Sequence, residues 1–567
     1  MDKYSSGTID SHGAGLKQHK ITVFTAVFMV FSLVAAGAYG IEEMLPETGP
    51  GLTLIMLIVI PFIWGLPFGL VASELGSVRP QEGGYYKWVQ EAFGEFWGFQ
   101  AGWWRTISIY IDNTLYVVLA GGYMFSMIGT DNRLVEFAFK AAMILIFMYI
   151  NIRGVRDVGI VTNALSIFVI AAFAMVAIIG FANWGGNPFA TITPEPVEFA
   201  TDWIFYVGAG LSIGMWMYSG YESMSTFAGE LKDPQVIPKA TLITVPLIML
   251  TYILPTMAGV SALDGTGNPD LSFDNWGISP GMVGYGTVAE VFLGPAFAVF
   301  FGIVAVLAQC SIYNTYIASG SRGFFALSDD HLSPKMFVKV DKKYGVPYVT
   351  VISIAVVNLA LCMFDFRVLI VVDVFLLVSS YILVYLSAMK LRKKIPKEEY
   401  KFRIPGGMKF LRIICIVPIC VAVISFLING SDYFFGGMIG IISGPIIYFI
   451  WKRLYGGLAK KDPVAFPVNK KTGLALGDTK RLAVLFALLA AIGLLGCLFL
   501  PWYEADWEYI QFAASGESDY DLTLFASQEA LFGAIRIMTI LCAGLAVVFG
   551  FVSRAIEPKN SEVKKAN

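Results

Sequence analysis

Two short stretches inside long apolar segments combine glycine, tyrosine and a neighbouring carboxylate. One reads Ala36-Gly37-Ala38-Tyr39-Gly40 and is followed by Glu42 and Glu43, and the other reads Tyr218-Ser219-Gly220-Tyr221-Glu222. An α-helix that breaks at such a stretch leaves unpaired N–H groups at one end and unpaired C=O groups at the other. These ends attract an anion and a cation, respectively. The two stretches therefore predict a binding site for a small molecule that carries both a carboxylate and an ammonium group.

Close packing of membrane helices is the alternative explanation for either glycine stretch taken alone. The two stretches, however, occupy matching positions in apolar segments that lie five segments apart. An inverted repeat of five plus five membrane spans would place two helix breaks in this way. The matching positions favour a binding site at residues 36–40 and 218–221 over simple packing.

Charged side chains within apolar segments are costly at membrane depth, so each needs a physical reason. Asp112 lies in the middle of the third segment, seven residues after Arg105. The two side chains share a helix face but lie about 10 Å apart along its axis, too far for an ion pair. We therefore expect Asp112 to face a cavity or another helix. Glu42, Asp112 and Glu222 are candidates to bind a positive charge or a proton, with an interhelical hydrogen bond or a satisfied ion pair as the structural alternative. For Asp373, near the start of its segment, the structural role is favoured.

The composition indicates that these segments lie in lipid. Of the 567 residues, 56% are hydrophobic and 14% are charged, whereas soluble domains carry about 25% charged residues. A bilayer core of about 30 Å needs about 20 apolar residues per helix. This length predicts fourteen spans, at 21–45, 52–75, 96–128, 135–152, 158–183, 203–227, 239–262, 287–321, 347–364, 368–390, 412–430, 434–451, 482–501 and 530–553.

The lysines and arginines predict the orientation. With a cytoplasmic N-terminus, 35 of the 40 basic residues fall in inner segments, and the outer loops hold only Arg133 and Arg367. This distribution follows the positive-inside rule, and one missed span would invert it for every later loop. We expect an integral protein of the plasma (inner) membrane with both termini cytoplasmic.

Other classes of function lack the residues that they require. All six cysteines lie in apolar runs and there are only three histidines, so neither disulfides nor a multi-histidine metal site is expected. The sequence contains no GxxxxGK[ST] loop for ATP and no set of nucleophile, base and metal ligands, so an enzyme is not expected. The basic runs 390–412 and 452–481 are typical of cytoplasmic loops rather than of a nucleic-acid site. No cofactor and no nucleic-acid partner are expected.

Several motifs resemble those of the amino acid–polyamine–organocation (APC) superfamily, and within it those of the polyamine and amino acid permeases. The resemblance extends from about residue 20 to residue 455. The motifs are Tyr39-Gly40-Ile41-Glu42-Glu43, Pro61-Phe62-Ile63-Trp64, Ala72-Ser73-Glu74-Leu75-Gly76, Ile111-Asp112-Asn113, Gly220-Tyr221-Glu222-Ser223, Ser328-Asp329-Asp330-His331 and Tyr344-Gly345-Val346-Pro347.

The resemblance implies an all-α fold of the leucine-transporter type and alternating access driven by protons, sodium or exchange. It also implies a substrate carboxylate at the N–H groups of residues 38–40 and an ammonium at the carbonyl groups of residues 218–220, with Tyr221 as an outer lid. Polyamine carriers of this group usually have Trp-Asp where this chain has Tyr221-Glu222, a pattern closer to amino acid permeases. Many of those permeases also carry a lysine in the fifth span, and residues 158–183 contain none. Glu42, Asp112 and Glu222 thereby become the candidates for proton coupling.

The predicted chain is an all-α membrane protein with twelve core-type spans and two extra C-terminal spans. Its parts are a cytoplasmic tail (1–20), two inverted repeats (21–183 and 203–390), a basic loop (391–411), spans 11–12 (412–451), spans 13–14 (482–553) with an acidic outer loop (502–528), and a second cytoplasmic tail (554–567). We expect a permease for amino acids or related organic amines, proton-coupled or an exchanger. A dedicated polyamine carrier is the alternative, and a nutrient sensor or channel is a further one. The expected partners are the substrate, membrane lipid and protons, and a homo-oligomer is left open.

Overall fold

The computed structural model describes residues 21–556, except 36, 82, 130–131, 199, 225–232, 234, 279–281, 365, 505–524 and 526. For residues 155–157, 159, 367–368 and 371 it describes the backbone alone. Within these residues the fold is all-helical and contains no β-strand. Its eighteen α-helices are α1 Val23–Val34, α2 Met44–Thr48, α3 Pro50–Ile60, α4 Leu66–Val78, α5 Gly84–Phe93, α6 Glu95–Ile128, α7 Arg133–Ile152, α8 Val155–Ala182, α9 Ala200–Met217, α10 Val236–Asp264, α11 Tyr285–Leu293, α12 Pro295–Asp329, α13 Tyr348–Leu361, α14 Phe366–Lys394, α15 Gly407–Ile428, α16 Ser431–Tyr455, α17 Asp478–Tyr503 and α18 Gln528–Ile556.

The apolar helices have the lengths that a bilayer requires. In the described part of the chain, ten helical segments are long and apolar enough to cross a membrane, and one of them joins α3 and α4 through the π-helical turn Pro61–Gly65. Together with α1, α6, α9 and α13 they coincide with the fourteen predicted spans. The all-helical membrane fold is therefore confirmed, while fourteen membrane crossings stay a prediction.

One span predicted as continuous is divided in the structure, and backbone chemistry explains why. The segment predicted as one span at 287–321 is two helices, because Gly294 has a φ of 97° and Pro295 begins α12. Proline suits the first position of a helix, where its missing N–H costs nothing. The span predicted at 21–45 has its first helix end at Val34 and continues as a 3₁₀ turn, Ile41–Glu43, followed by α2.

Helix α6 packs against several other helices at the centre of the fold. It runs for 34 residues and packs along α12 on one side and α14 on another. The first helix, α1, packs against α8, α10 and α12. Long helices packed on several neighbours are rigid supports, so residues in the middle of α6 and α14 are held beside the ends of α1 and α9.

The last two helices, α17 and α18, pack on each other and dock onto the preceding ones. At one end, the Tyr448 hydroxyl lies between the carboxylates of Glu95 (2.9 Å) and Asp478 (2.6 Å), which joins α16 to α6 and α17. Lys452 Nζ lies 2.6 Å from the same Glu95. At the other end, the backbone N–H of Ser431 donates to Glu504. The extra pair is thus fastened by hydrogen bonds at both ends.

Candidate functional site

The first helix is interrupted where the glycine stretch predicts. After α1 ends at Val34, Gly37 and Gly40 have φ angles of 115° and 95°. Only glycine adopts such angles readily. A Cβ on Gly37 would also lie 2.3 Å from the Phe173 ring, so the break leaves no room for a side chain there. Ala36 lies outside the described residues.

The break that follows α9 packs directly against the end of α1. After α9 ends at Met217, Gly220 has a φ of 108°, and a Cβ there would lie 2.3 Å from the carbonyl oxygen of Leu33. The Tyr252 hydroxyl on α10 donates to the carbonyl of Met217 at 3.0 Å. It also lies 3.5 Å from the Val34 carbonyl, at the end of α1. The C-terminal ends of both helices therefore meet in the interior, as the sequence predicts.

Glu42 occupies part of the first break. Its Oε2 accepts the backbone N–H of Gly40 at 2.9 Å and lies 3.3 Å from the Tyr123 hydroxyl. The Tyr39 and Tyr123 rings lie edge to face beside it, with centroids 5.0 Å apart. The N–H of Gly40, expected to bind a substrate carboxylate, is therefore already bound to a carboxylate of the chain itself.

The second break leads into a buried ion pair. Arg105 Nε on α6 lies 2.6 Å from Glu222 Oε1, and both side chains have zero exposure. Tyr381 on α14 donates to Glu222 Oε2 at 2.5 Å, and its hydroxyl accepts the Gly220 N–H at 3.1 Å. Glu222, a candidate for proton coupling, is thus held by a guanidinium and a phenol, which corresponds to the structural alternative of an ion pair. A guanidinium–carboxylate contact at this distance is charge-assisted and geometrically specific.

Asp373, whose predicted role is structural, lies beside the same ion pair. Arg105 Nη1 donates to Ser108 Oγ at 2.8 Å, and Ser108 Oγ donates to Asp373 Oδ1 at 2.5 Å. Asp373 is fully buried. It lies two turns inside α14, which starts at Phe366 and packs against α6, so it faces the interior rather than the membrane surface.

Asp112 faces another helix, which is one of the two environments that the sequence predicts for it, the other being a cavity. Its Oδ1 accepts the Trp216 indole N–H at 2.9 Å, one residue before α9 ends. The Tyr116 and Tyr316 hydroxyls also hydrogen-bond its carboxyl group. All these partners are neutral, so no cation is paired directly with Asp112 among the described residues. We call Arg105, Asp112, Glu222 and Asp373 the central cluster.

The remaining predicted residues lie around this cluster but serve the packing of the break. The Tyr218 hydroxyl donates to the Leu57 carbonyl at 2.9 Å, and Ser219 Oγ accepts the Trp64 indole N–H at 2.9 Å. Tyr221, expected as an outer lid, packs against Gly65 and Gly69 of the second span. Tyr221 is buried there, with an exposed fraction of 1%, and its role as a lid stays a prediction.

Several residues of the site were missed or undervalued by sequence reasoning. Tyr316, Tyr381 and Trp216 are aromatic residues among many in a membrane protein, and their types alone gave no signal. A signal did exist in α6, where Arg105, Ser108, Asp112 and Tyr116 recur at helical spacing and so share one face. A polar face inside an apolar helix identifies the side that lines the interior.

The described part of the chain has an all-helical membrane fold with two broken helices beside a buried charged centre. The chain belongs to the amino acid permease family, whose model matches residues 21–452. The solved structure of MhsT in complex with L-phenylalanine superposes with a TM-score of 0.54 at 14% identity, over 73% of this chain and 100% of that chain. At this identity the likeness concerns the fold alone.

Named relatives are transporters. A probable polyamine transporter of Arabidopsis thaliana is 28% identical over 72% of this chain and 79% of its own length. The polyamine transporter PUT1 of Oryza sativa subsp. japonica is 28% identical over 68% and 70%. The serine/threonine exchanger SteT of Bacillus subtilis is 22% identical over 77% and 98%. The family and these relatives point to a transporter rather than an enzyme.

Proposed function

We propose that this permease carries organic amines, either amino acids or related compounds, through the plasma membrane by alternating access. One observation carries the proposal. In the described part of the chain, three buried carboxyl groups and one guanidinium meet beside the two helix breaks. Such a centre has an excess of negative charge, and a positively charged nitrogen compensates it. Proton coupling or exchange and cytoplasmic termini are part of the same proposal.

A dedicated polyamine carrier is the second candidate, and a specific contact favours it. The carboxylate of Glu42 already accepts the Gly40 N–H at 2.9 Å. A substrate therefore gains nothing there from a carboxylate of its own. A diamine has two positive nitrogens for the central cluster and no carboxylate to place. The named polyamine transporters among the relatives support this candidate as well.

Uptake by purified protein in proteoliposomes tests the proposal. Labelled putrescine should accumulate with saturation kinetics and compete with amines, whereas glutamate should not compete. Asp112→Asn should lower uptake by about 10- to 150-fold, the equivalent of one hydrogen bond to a charged group. The matched control is Asp432→Asn, which removes a carboxyl at the start of α16, away from the cluster.

The competing outcomes are distinct. Competition by lysine and alanine as strong as that by putrescine would favour the amino acid carrier over the polyamine carrier. Flux without saturation would indicate a channel, and binding without flux would indicate a sensor. Full uptake by both Asp112→Asn and Glu222→Gln would refute the role of the charged centre.

A further inference from the structure

The charges of the central cluster do not balance. Arg105 lies against Glu222 at 2.6 Å and compensates that carboxylate. Among the residues that the structure describes, Asp112 and Asp373 receive only neutral donors, namely indole and phenol groups for Asp112 and the Ser108 hydroxyl for Asp373. Their exposed fractions are 1% and 0%. A carboxylate buried without a cation is strongly disfavoured, and it binds a cation or a proton instead.

The contacts identify the oxygen atom that takes this charge. Ser108 Oγ accepts a hydrogen bond from Arg105 Nη1 and donates a hydrogen bond to Asp373 Oδ1. Asp373 Oδ1 is therefore an acceptor in the observed arrangement. The other oxygen, Oδ2, is buried and has no hydrogen-bond partner among the described residues. Oδ2 is thus the atom that can carry a proton or meet an ammonium group.

The surroundings of Asp373 contain few other groups that titrate. The charged groups that act on it most strongly are Asp112 and Arg105 on α6 and Glu222 after the α9 break. The phenols of Tyr116 and Tyr316 face it from α6 and α12. The pair of Arg392 and Glu74 lies at the far end of α14, 19 residues away, which is about 28 Å along the helix.

We propose that Asp112 and Asp373 hold protons and substrate ammonium groups in turn, so that the carrier exchanges one proton for each positive charge of its substrate. The inference rests on the proposed function and specifies its coupling. When an ammonium group binds, the carboxylic acid releases its proton to water on the same side of the membrane. When the amine leaves on the other side, the carboxylate takes a proton from water there. Every state that crosses then keeps the cluster neutral.

This arrangement makes the proton stoichiometry depend on the substrate. A diamine brings two charges and displaces both protons, whereas a monoamine brings one charge and displaces one proton. Glu222 does not take part, since Arg105 compensates it in each state. Asp373 is therefore a coupling residue, and its removal should change the number of protons without removing the site at Asp112.

The experiment counts protons in proteoliposomes that contain the full chain, with a pH dye and labelled 1,4-diaminobutane or 1-aminobutane. For the wild type we expect two protons per diamine, one per monoamine, and no response to a potassium-diffusion potential. Asp373→Asn should exchange one proton per diamine and should respond to the potential, because a net charge then moves. Asp373→Glu should restore the exchange of two protons per diamine. Asp432→Asn, which lies outside the cluster, should also exchange two protons per diamine.

The outcomes separate the coupling from the function. Equal proton numbers for diamine and monoamine in the wild type would overturn the inference and leave amine transport standing. An unchanged ratio of two in active Asp373→Asn would overturn it as well. If that variant does not fold, the comparison of the two amines on the wild type alone decides. A wild type that takes up neither amine but does take up an amino acid would overturn the inference alone, and a wild type that takes up neither amines nor amino acids would overturn the proposed function as well.

Discussion

The contact between Glu42 and Gly40 leads to a prediction about substrate choice. Glu42 Oε2 accepts the Gly40 N–H at 2.9 Å, and this N–H is one of those predicted to bind a substrate carboxylate. A hydrogen bond to a charged group contributes about 1.5–3 kcal/mol, which corresponds to about 10- to 150-fold in affinity. Glu42→Ala frees the N–H, so the preference should move by this factor toward substrates with a carboxylate.

Lysine and 1,5-diaminopentane form a matched pair for the assay, because they differ only by the carboxylate. Each would compete against labelled putrescine uptake, and the ratio of their inhibition constants is the measured quantity. In the wild type the diamine should compete better, and in Glu42→Ala the ratio should move toward lysine. Glu42→Gln keeps an oxygen acceptor for Gly40 and should change the ratio less.

The control must separate the freed N–H from the loss of one negative charge. Glu43 provides it, because its Oε1 accepts the N–H of Ile278 at 3.0 Å, whereas the N–H of Gly40 donates to Glu42. Glu43→Ala removes the same charge from the neighbouring position, and its ratio should stay near that of the wild type. An equal change in Glu42→Ala and Glu43→Ala, or a change in the opposite direction, would refute the reasoning.

Three further predictions follow from other contacts. Arg105→Met leaves Glu222 buried without its cation and should lower the free energy of unfolding in detergent by about 3–5 kcal/mol. The double variant Arg105→Met with Glu222→Leu should recover most of this loss. An Arg105→Met variant as stable as the wild type would contradict the pairing. Asp330→Asn should lower the same quantity by about 1.5–3 kcal/mol, because Lys461 Nζ lies 2.9 Å from this carboxylate. Although burial opposes ionisation, Lys87 and Lys461 hold the pKa of Asp330 well below its usual range. The stability that the Asp330 carboxylate contributes is lost only as the pH falls through that low value. Unfolding curves at pH 5 and at pH 8 should therefore show the same loss of unfolding free energy in Asp330→Asn.

The sequence predicts where the two helices break, but it does not predict which side chains contact the breaks. Glycines next to carboxylates in two matching segments sufficed to predict interruptions at residues 36–40 and 218–221, because the left-handed angles at Gly37, Gly40 and Gly220 require glycine. The side chains that complete the site come from far along the chain. Arg105 and Glu222 are 117 residues apart in sequence, and no local pattern specifies that they meet.

Asp373 shows how position within a segment can mislead. The predicted span started at residue 368, which placed Asp373 near a membrane surface, whereas α14 starts at Phe366 and buries this carboxyl against α6. Tyrosine is also too frequent to be informative, with 26 in the chain. Tyr316 and Tyr381 differ from Tyr313 and Tyr385 on the same helices because their hydroxyls hydrogen-bond Asp112 and Glu222.

Helix α6 also determines how the two extra helices relate to the site. Their fastening to the core runs through Asp478 and Tyr448 to Glu95, the first residue of α6. Arg105 lies ten residues further along, about 15 Å away on the helix axis, so no side chain of α17 at this junction reaches the central cluster. The family model ends at residue 452, before α17 begins. The charged centre therefore belongs to the part of the chain shared with the family, and α17 and α18 lie outside that part.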